Sequence, residues 1–141
     1  MRQLYTILLY LSLPIIFLRW LWRSRLNSGY RQRLGERLSF FPKKSNQPSI
    51  WLHAVSVGEV LTAVPVIRAL KTCYPDDELV VTTTTPTGSA QLQKHFPDGI
   101  IHVYLPLDLP LMMRRFIKHM QPRVAIIMET ELWPNMLHTL H

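Results

Sequence analysis

SIWLHAVSVGEVLTAVPVIRAL, residues 49–70, holds the junction on which the fold turns. Its opening residues, Ser49 to Ala54, are largely apolar without strict alternation, the composition of a strand buried on both faces. Small residues follow. From Glu59 the apolar positions Val60, Ala63, Val64, Ile67 and Leu70 recur near 3.6-residue spacing, which predicts a helix over 59–72. Pro65 lies inside that run and predicts either a kink or a later start near Ala63.

The same strand–turn–helix unit repeats downstream. ELVVTTTT (78–85) reads as a β-branched strand, and Pro86 and Gly88 mark a turn before a short helix over 89–95. GIIHVYLP (99–106) is a third strand, residues 109–119 a third helix, RVAIIME (123–129) a fourth strand, and LWPNMLHTLH (132–141) the start of a fourth helix. Strands of this kind separated by helices predict an α/β, Rossmann-like parallel sheet covered on both faces. Ligands of such sheets bind at the carboxyl ends of the strands, so the loops beginning at Val55, Thr85, Pro106 and Glu129 are the places to look.

Charge divides the chain. Residues 1–44 carry nine Lys/Arg against one acid, Glu36, while residues 45–141 carry seven against eight. The globular part is thus nearly neutral, which argues against a nucleic-acid-binding face and assigns the basic character to the N-terminus. There, LYTILLYLSLPIIFL (4–18) is fifteen residues without a charge, and counting through Trp22 gives nineteen. That length just spans a bilayer if Arg19 snorkels, with Trp20, Trp22, Arg23 and Arg25 as an interfacial belt. The segment has no small-residue cleavage site, which favours a retained anchor over a signal peptide. A helix lying in the interface remains the alternative. The expected organisation is an anchor over 1–25, a basic amphipathic collar and linker over 26–48, and the α/β domain over 49–141, on the cytoplasmic side of the membrane by the positive-inside rule. Within the collar, Tyr30 to Phe40 is expected as a short basic helix offering Arg31, Arg33 and Arg37 to lipid phosphates. The single cysteine, Cys73, excludes an internal disulfide and is expected as a small core residue.

Three strand ends carry possible chemistry. In SVGE (56–59), Ser56 and Gly58 precede a helix whose free N–H groups suit an anion, and Gly58 lets a ligand approach the backbone. Glu59 has two readings, a first-turn acid matched to the helix dipole or a catalytic carboxylate. The segment is neither G-x-G-x-x-G nor a P-loop, so nucleotide-triphosphate or nicotinamide binding has little support. In ETELWPN (129–135), Glu129 and Glu131 share a face if the segment stays extended, and form a cap cluster around Thr130 if it turns. The four threonines of TTTTPTGS suit sugar or phosphate oxygens as well as a strand. Six scattered histidines without ligand spacing predict no protein metal site. His53 reads as a core histidine or a residue facing the first loop.

HAVSVGEVLTAVPVIRAL, VTTTTPTGS, HVYLPLDLP and IIMETELWPN resemble, in order and spacing, the N-terminal half of bacterial 3-deoxy-D-manno-octulosonic acid (Kdo) transferases. The basic stretch YRQRLGERLSFF and the apolar N-terminus are similar too. The resemblance implies a GT-B glycosyltransferase whose N-terminal domain meets the membrane and a lipid A precursor as acceptor, in lipopolysaccharide biosynthesis. It implies Glu59 as general base and Glu129 as transition-state stabiliser. Ser56, Gly58, Arg31, Arg33 and Arg37 are the expected acceptor-binding residues. CMP-Kdo is the implied donor, with no cofactor or metal, held by a C-terminal domain beyond these residues. The chain alone is therefore expected to be an inactive fragment associated with anionic lipids of the inner membrane. The competing expectation is a non-catalytic module that binds anionic lipid.

Overall fold

Every residue of Ser49–His53 is buried, as its unbroken apolar character requires, and this strand, β1, is central in a four-stranded sheet. The computed structural model describes residues 1–141 apart from 27, 31, 43 and 130–132, and apart from the side chains of 26 and 28. The remaining elements are α1 (Arg2–Leu26), a 3₁₀ turn (Ser28–Tyr30), α2 (Leu34–Arg37), α3 (Val57–Cys73), β2 (Glu78–Thr83), α4 (Pro86–His95), β3 (Ile101–Tyr104), α5 (Pro110–Met120), β4 (Pro122–Ile127) and α6 (Pro134–Leu140).

All strand pairings are parallel, in the order β3-β2-β1-β4. Alternate side chains of each strand feed two cores. Ile50, Leu52, Leu79 and Val81 pack under Val60, Ala63, Val64 and Ile67 of α3 and Leu92 of α4. Trp51, Val80, Ile101 and Val103 pack under Met113, Phe116 and Met120 of α5 and Met136 of α6. The sheet is a layer between two helical layers, which is why its strands read as continuous apolar runs.

Helix α3 begins two residues before the predicted start and runs unbroken through Pro65. Pro65 removes one N–H, and the carbonyl it would have bonded belongs to Leu61. Both residues lie on the exposed face, where water serves that carbonyl, so a later start near Ala63 is not needed. Cys73, at the last position of α3, is exposed rather than in the core. The expected collar helix over 30–40 is a single turn. Arg33 (φ 57°) and Ser39 (φ 65°) are left-handed and bracket Leu34–Arg37, which stops propagation at both ends.

That turn seals an edge. β3 is an outer strand with backbone groups open to pairing. Glu36 accepts a hydrogen bond from the Tyr104 amide at 2.8 Å, and Arg33 donates to the His102 carbonyl at 2.6 Å. The Arg33–Glu36 ion pair (2.6 Å) thus takes the place of a neighbouring strand.

Helix α1 is long and apolar enough to cross a membrane. It also touches the domain at both ends: the Thr6 hydroxyl donates to Asn135 Oδ1 at 3.1 Å, and Trp20 lies under the Arg37 guanidinium at 5.5 Å. Tyr5, Leu9, Leu13, Ile16, Trp20 and Arg23 form its half-buried stripe, and Leu4, Leu8, Leu11, Ile15, Leu18 and Trp22 face outward.

Candidate functional site

Strand order reverses between β1 and β4, because the chain leaves β3 at one edge and returns at the other side of β1. Such a switch point opens a crevice at the carboxyl ends of the two strands. His53 and Ile127 are register partners there, and the Met128 amide donates to the His53 carbonyl at 2.9 Å. The segment that follows His53 leads to Glu59, and the residue after Met128 is Glu129. Two carboxylates far apart in sequence therefore leave neighbouring strand ends.

Glu59 is 8% exposed and closely held. Oε2 accepts from the Val55 amide at 2.7 Å, while Oε1 accepts from the Ser56 amide at 3.2 Å and the Ser56 hydroxyl at 2.8 Å. Ser56 Oγ accepts in return from the Glu59 amide at 3.4 Å, completing a capping box at the start of α3. The helix-electrostatic reading of Glu59 is thus present in full. A carboxylate offers about four acceptor positions, and the three bonds to Val55 and Ser56 leave one.

Glu129 is exposed and left-handed (φ 60°), so the strand does not stay extended through it. The shared-face reading of Glu129 and Glu131 fails at that residue, and Thr130 and Glu131 lie outside the described residues. The start of α6 is capped instead by Asp108. Its carboxylate accepts from the Asn135 amide at 3.0 Å and the Met136 amide at 2.7 Å, and Asn135 Nδ2 donates to the Asp108 carbonyl at 2.7 Å. Burial pushes the Asp108 carboxyl above its ordinary range, opposed by those amides and the Tyr5 hydroxyl. Sequence reasoning missed this residue; the available signal was a carboxylate between two prolines in a strand-end loop.

The glycine the loops require is Gly88. A Cβ there would come within 2.9 Å of Thr85 Oγ1 and 3.4 Å of the Ser56 carbonyl carbon, so α4 packs directly on the SVGE loop. Among the described residues a Cβ on Gly58 would meet only Ser56 Oγ at 3.9 Å, so none of them demands a glycine at that exposed position. Thr85 caps α4 by accepting from the Gly88 amide at 3.1 Å, and the hydroxyls of Thr84 and Thr85 each donate to the Val55 carbonyl at 3.3 Å. The threonine-rich strand end and the Glu59 loop form one bonded unit.

His53 is fully buried, hydrogen-bonded to Thr82 Oγ1 at 2.8 Å, with its ring 6.0 Å from that of Trp133. Trp51 Nε1 donates to the same hydroxyl at 2.8 Å, which makes His53 part of the core wall beneath the strand ends. His102 Nδ1 lies 3.1 Å from an Arg33 nitrogen, which can only donate, so the ring proton sits on Nε2 beside Thr83 Oγ1 (3.1 Å). Burial and the Arg33 cation push His102 down to about 3.

Of the three collar arginines expected at lipid phosphates, Arg31 lies outside the described residues. Arg33 is engaged with Glu36 and β3. Arg37 is 6% exposed, stacked over Tyr104 at 4.3 Å and donating to the Thr84 carbonyl at 2.7 Å. Both described arginines turn inward, toward the strand ends, rather than outward from an amphipathic helix. Among the described residues no three His, Cys, Asp or Glu side chains gather closely enough to hold a metal.

A four-stranded parallel sheet between two helical layers, with its switch point between β1 and β4, defines a Rossmann-like α/β protein. The profile of 3-deoxy-D-manno-octulosonic-acid transferase (kdotransferase) matches residues 32–141, so the chain belongs to the Kdo transferase family, whose N-terminal domain is one half of a GT-B fold. The 3-deoxy-D-manno-octulosonic acid transferase of Haemophilus influenzae is 46% identical over 141 residues, covering 99% of this chain and 33% of that protein. A probable mitochondrial 3-deoxy-D-manno-octulosonic acid transferase of Arabidopsis thaliana is 38% identical over 96% of this chain and 30% of its own length. The Bordetella pertussis transferase is 34% identical over 96% and 33%. The chain spans about a third of the length of these curated relatives.

Proposed function

We propose that this chain supplies the acceptor side of a glycosyltransferase that moves Kdo from CMP-Kdo to a lipid A precursor in lipopolysaccharide biosynthesis. The observation that carries the reading is that β1, which leads to the Glu59 loop, and β4, which leads to Glu129, end side by side at the switch point. In the proposed reaction an acceptor hydroxyl oxygen bonds to the anomeric carbon of Kdo while CMP departs with the bonding electrons. Glu59 takes the hydroxyl proton. A sugar hydroxyl is a poor nucleophile, and a fixed carboxylate within hydrogen-bond reach removes its proton as the bond forms. The capping box supports this role by locking the carboxylate in one orientation with a single acceptor position left. Glu129, exposed at the neighbouring strand end, stabilises the positive charge that develops at the sugar centre. Ser56 and Gly58 border the acceptor, and the open space at Gly58 suits close approach by a ligand.

The donor-binding part is sought in the remaining two-thirds of the relatives' length, and the domain is assigned to the cytoplasmic face of the inner membrane. The test is Kdo transfer in membranes containing this chain, alone and with a separately expressed C-terminal part of a relative. Transfer only with the second part, abolished by Glu59→Gln, supports the reading. Silence of both Glu59→Gln and Glu129→Gln in an active pair rejects it and leaves a lipid-binding module.

A further inference from the structure

The chain meets α5 at Ser39 and again at Ser45. The Ser39 hydroxyl donates to the Met112 carbonyl at 2.8 Å, and the Ser45 amide donates to the His119 carbonyl at 3.2 Å. Between these two ties lies an open groove of about 760 Å³. Phe40, Phe41 and Lys44 line it on one side, and Arg115, Lys118 and His119 of α5 on the other.

Its lining is cationic and aromatic. Among the described residues the groove has no carboxylate, and Lys44, Arg115 and Lys118 make no ion pair. Helix α5 itself contains no acidic residue. The Arg115 guanidinium lies over the Phe40 ring at 4.7 Å, yet Phe40 is 60% exposed. Phe41 is set edge-on to Phe116 at 5.7 Å and lies 5.4 Å from the His119 ring. His119 Nε2 is buried with no hydrogen-bond partner among the described residues. A cation over an exposed ring gains little in water and more once a partner excludes water from the pair. An exposed aromatic flanked by unpaired cations is complementary to acidic side chains that accompany an apolar anchor.

Position argues against a bilayer as that partner. Helix α1 meets the domain at the carboxyl ends of the strands, where Trp20 lies under Arg37. Helix α5 leads back from the end of β3 to the start of β4, so Lys118 and His119 lie at the amino ends. There the Ser49 amide, at the start of β1, donates to the Gln121 carbonyl at 3.0 Å. A strand of five residues separates the two ends by about 17 Å. That is about two Debye lengths at physiological salt.

We propose that the groove between the collar and α5 binds an acidic peptide segment of a partner protein. An apolar side chain of that segment sits on Phe40, and its carboxylates meet Lys44, Arg115 and Lys118. The inference stands apart from the glycosyl-transfer reading, since it concerns the opposite end of the sheet from Glu59 and Glu129.

The probe is a short fluorescent peptide of glutamate and aspartate with one central phenylalanine. It is titrated with the 141-residue chain in nonionic micelles at physiological salt, and binding is read by anisotropy. One control peptide replaces the acids by their amides, and another replaces the phenylalanine by alanine. The wild type should prefer the acidic probe over the amide peptide by about tenfold, from three exposed charge pairs. Arg115→Gln and Lys118→Gln should each weaken binding about two- to fivefold. Phe40→Ala should weaken it about tenfold and erase the preference over the alanine peptide. All three side chains are exposed, and an unchanged circular dichroism spectrum checks the fold of each variant. Arg68→Gln, on the exposed face of α3 across the sheet, should leave affinity intact. No preference for the acidic probe, an unaltered affinity in Phe40→Ala, or an Arg68→Gln loss matching that of Arg115→Gln overturns the site. Binding to phosphatidylglycerol vesicles that falls in Arg115→Gln and Lys118→Gln, with the peptide inert, assigns the groove to the bilayer and overturns the peptide. Self-association in sedimentation that Phe40→Ala abolishes, again with the peptide inert, assigns it to a second copy. Displacement of the probe by a separately expressed C-terminal part of a relative overturns the separate partner.

Discussion

Glu59→Gln separates a structural role from a chemical one. The substitution keeps shape but exchanges one carboxylate oxygen for an amide donor. Whichever way the amide points, it faces either the Val55 amide, now bonded at 2.7 Å, or the Ser56 amide at 3.2 Å. One backbone donor loses its acceptor and the charge assistance is gone from the other bonds. Hydrogen bonds to charged groups contribute about 1.5–3 kcal/mol each, and loss of a cap typically costs about 1 kcal/mol. Val55 and Ser56 are only half-buried, so water recovers part of the deficit. The expected loss is about 1–2 kcal/mol, which for a chain of this size lowers Tm by about 4–8 °C. Thermal unfolding followed by circular dichroism in detergent micelles measures it. A Tm within about 1 °C of wild type would refute the claim that the capping box holds this carboxylate. The magnitude also protects the functional test. A domain with about 5 kcal/mol of stability stays almost wholly folded at 25 °C after such a loss. General-base removal costs about 10²–10⁴ in rate, so a transfer defect of that size cannot come from the cap.

Asp108→Asn should be at least as damaging, about 1–3 kcal/mol, because the fully enclosed α6 amides of Asn135 and Met136 lose half of their acceptor. Faster proteolysis within α1, which meets α6 through Asn135, would accompany the drop in Tm. Gly88→Ala should destabilise by about 1–3 kcal/mol through overpacking against Thr85 and the Ser56 backbone. Gly58→Ala should change Tm little, so a transfer defect in that variant would report ligand approach. His102 makes stability acid-sensitive: its folded value of about 3 lies below the ordinary 6.5, so the unfolded chain binds the extra proton first. Its contribution is flat above pH 6.5 and stability falls as pH drops from there toward 3, by at most about 1.4 kcal/mol per pH unit. Denaturant melts across that range should show a shallower slope in His102→Gln; an unchanged slope would mean the histidine is not responsible.

The strands were legible in sequence because a sheet buried on both faces leaves an unbroken apolar signature, as in Ile50–Leu52 and Leu79–Val81. Helix α3 was legible from its 3.6-residue pattern, and Glu59 from its place after a strand. What misled was local context. Pro65 looked like a boundary because its placement on the solvent face is a tertiary fact. Residues 30–40 looked helical because two left-handed non-glycine residues, Arg33 and Ser39, leave no mark in composition. Cys73 was assigned inward on residue type alone.

The sequence by itself determined the alternation of strand and helix, the apolar N-terminal helix, the family blocks and the two carboxylates, since each depends on residues close along the chain. Tertiary structure alone decided what those residues meet. Strand order sets the end of β1, which leads to Glu59, beside the end of β4, which leads to Glu129; Asp108 reaches across 27 positions to cap α6, and Trp20 of α1 comes under the Arg37 guanidinium. Periodicity and propensity describe how a segment divides itself between water and core. Which partner a buried charge finds depends on contacts between distant segments, and only the packed sheet supplies them.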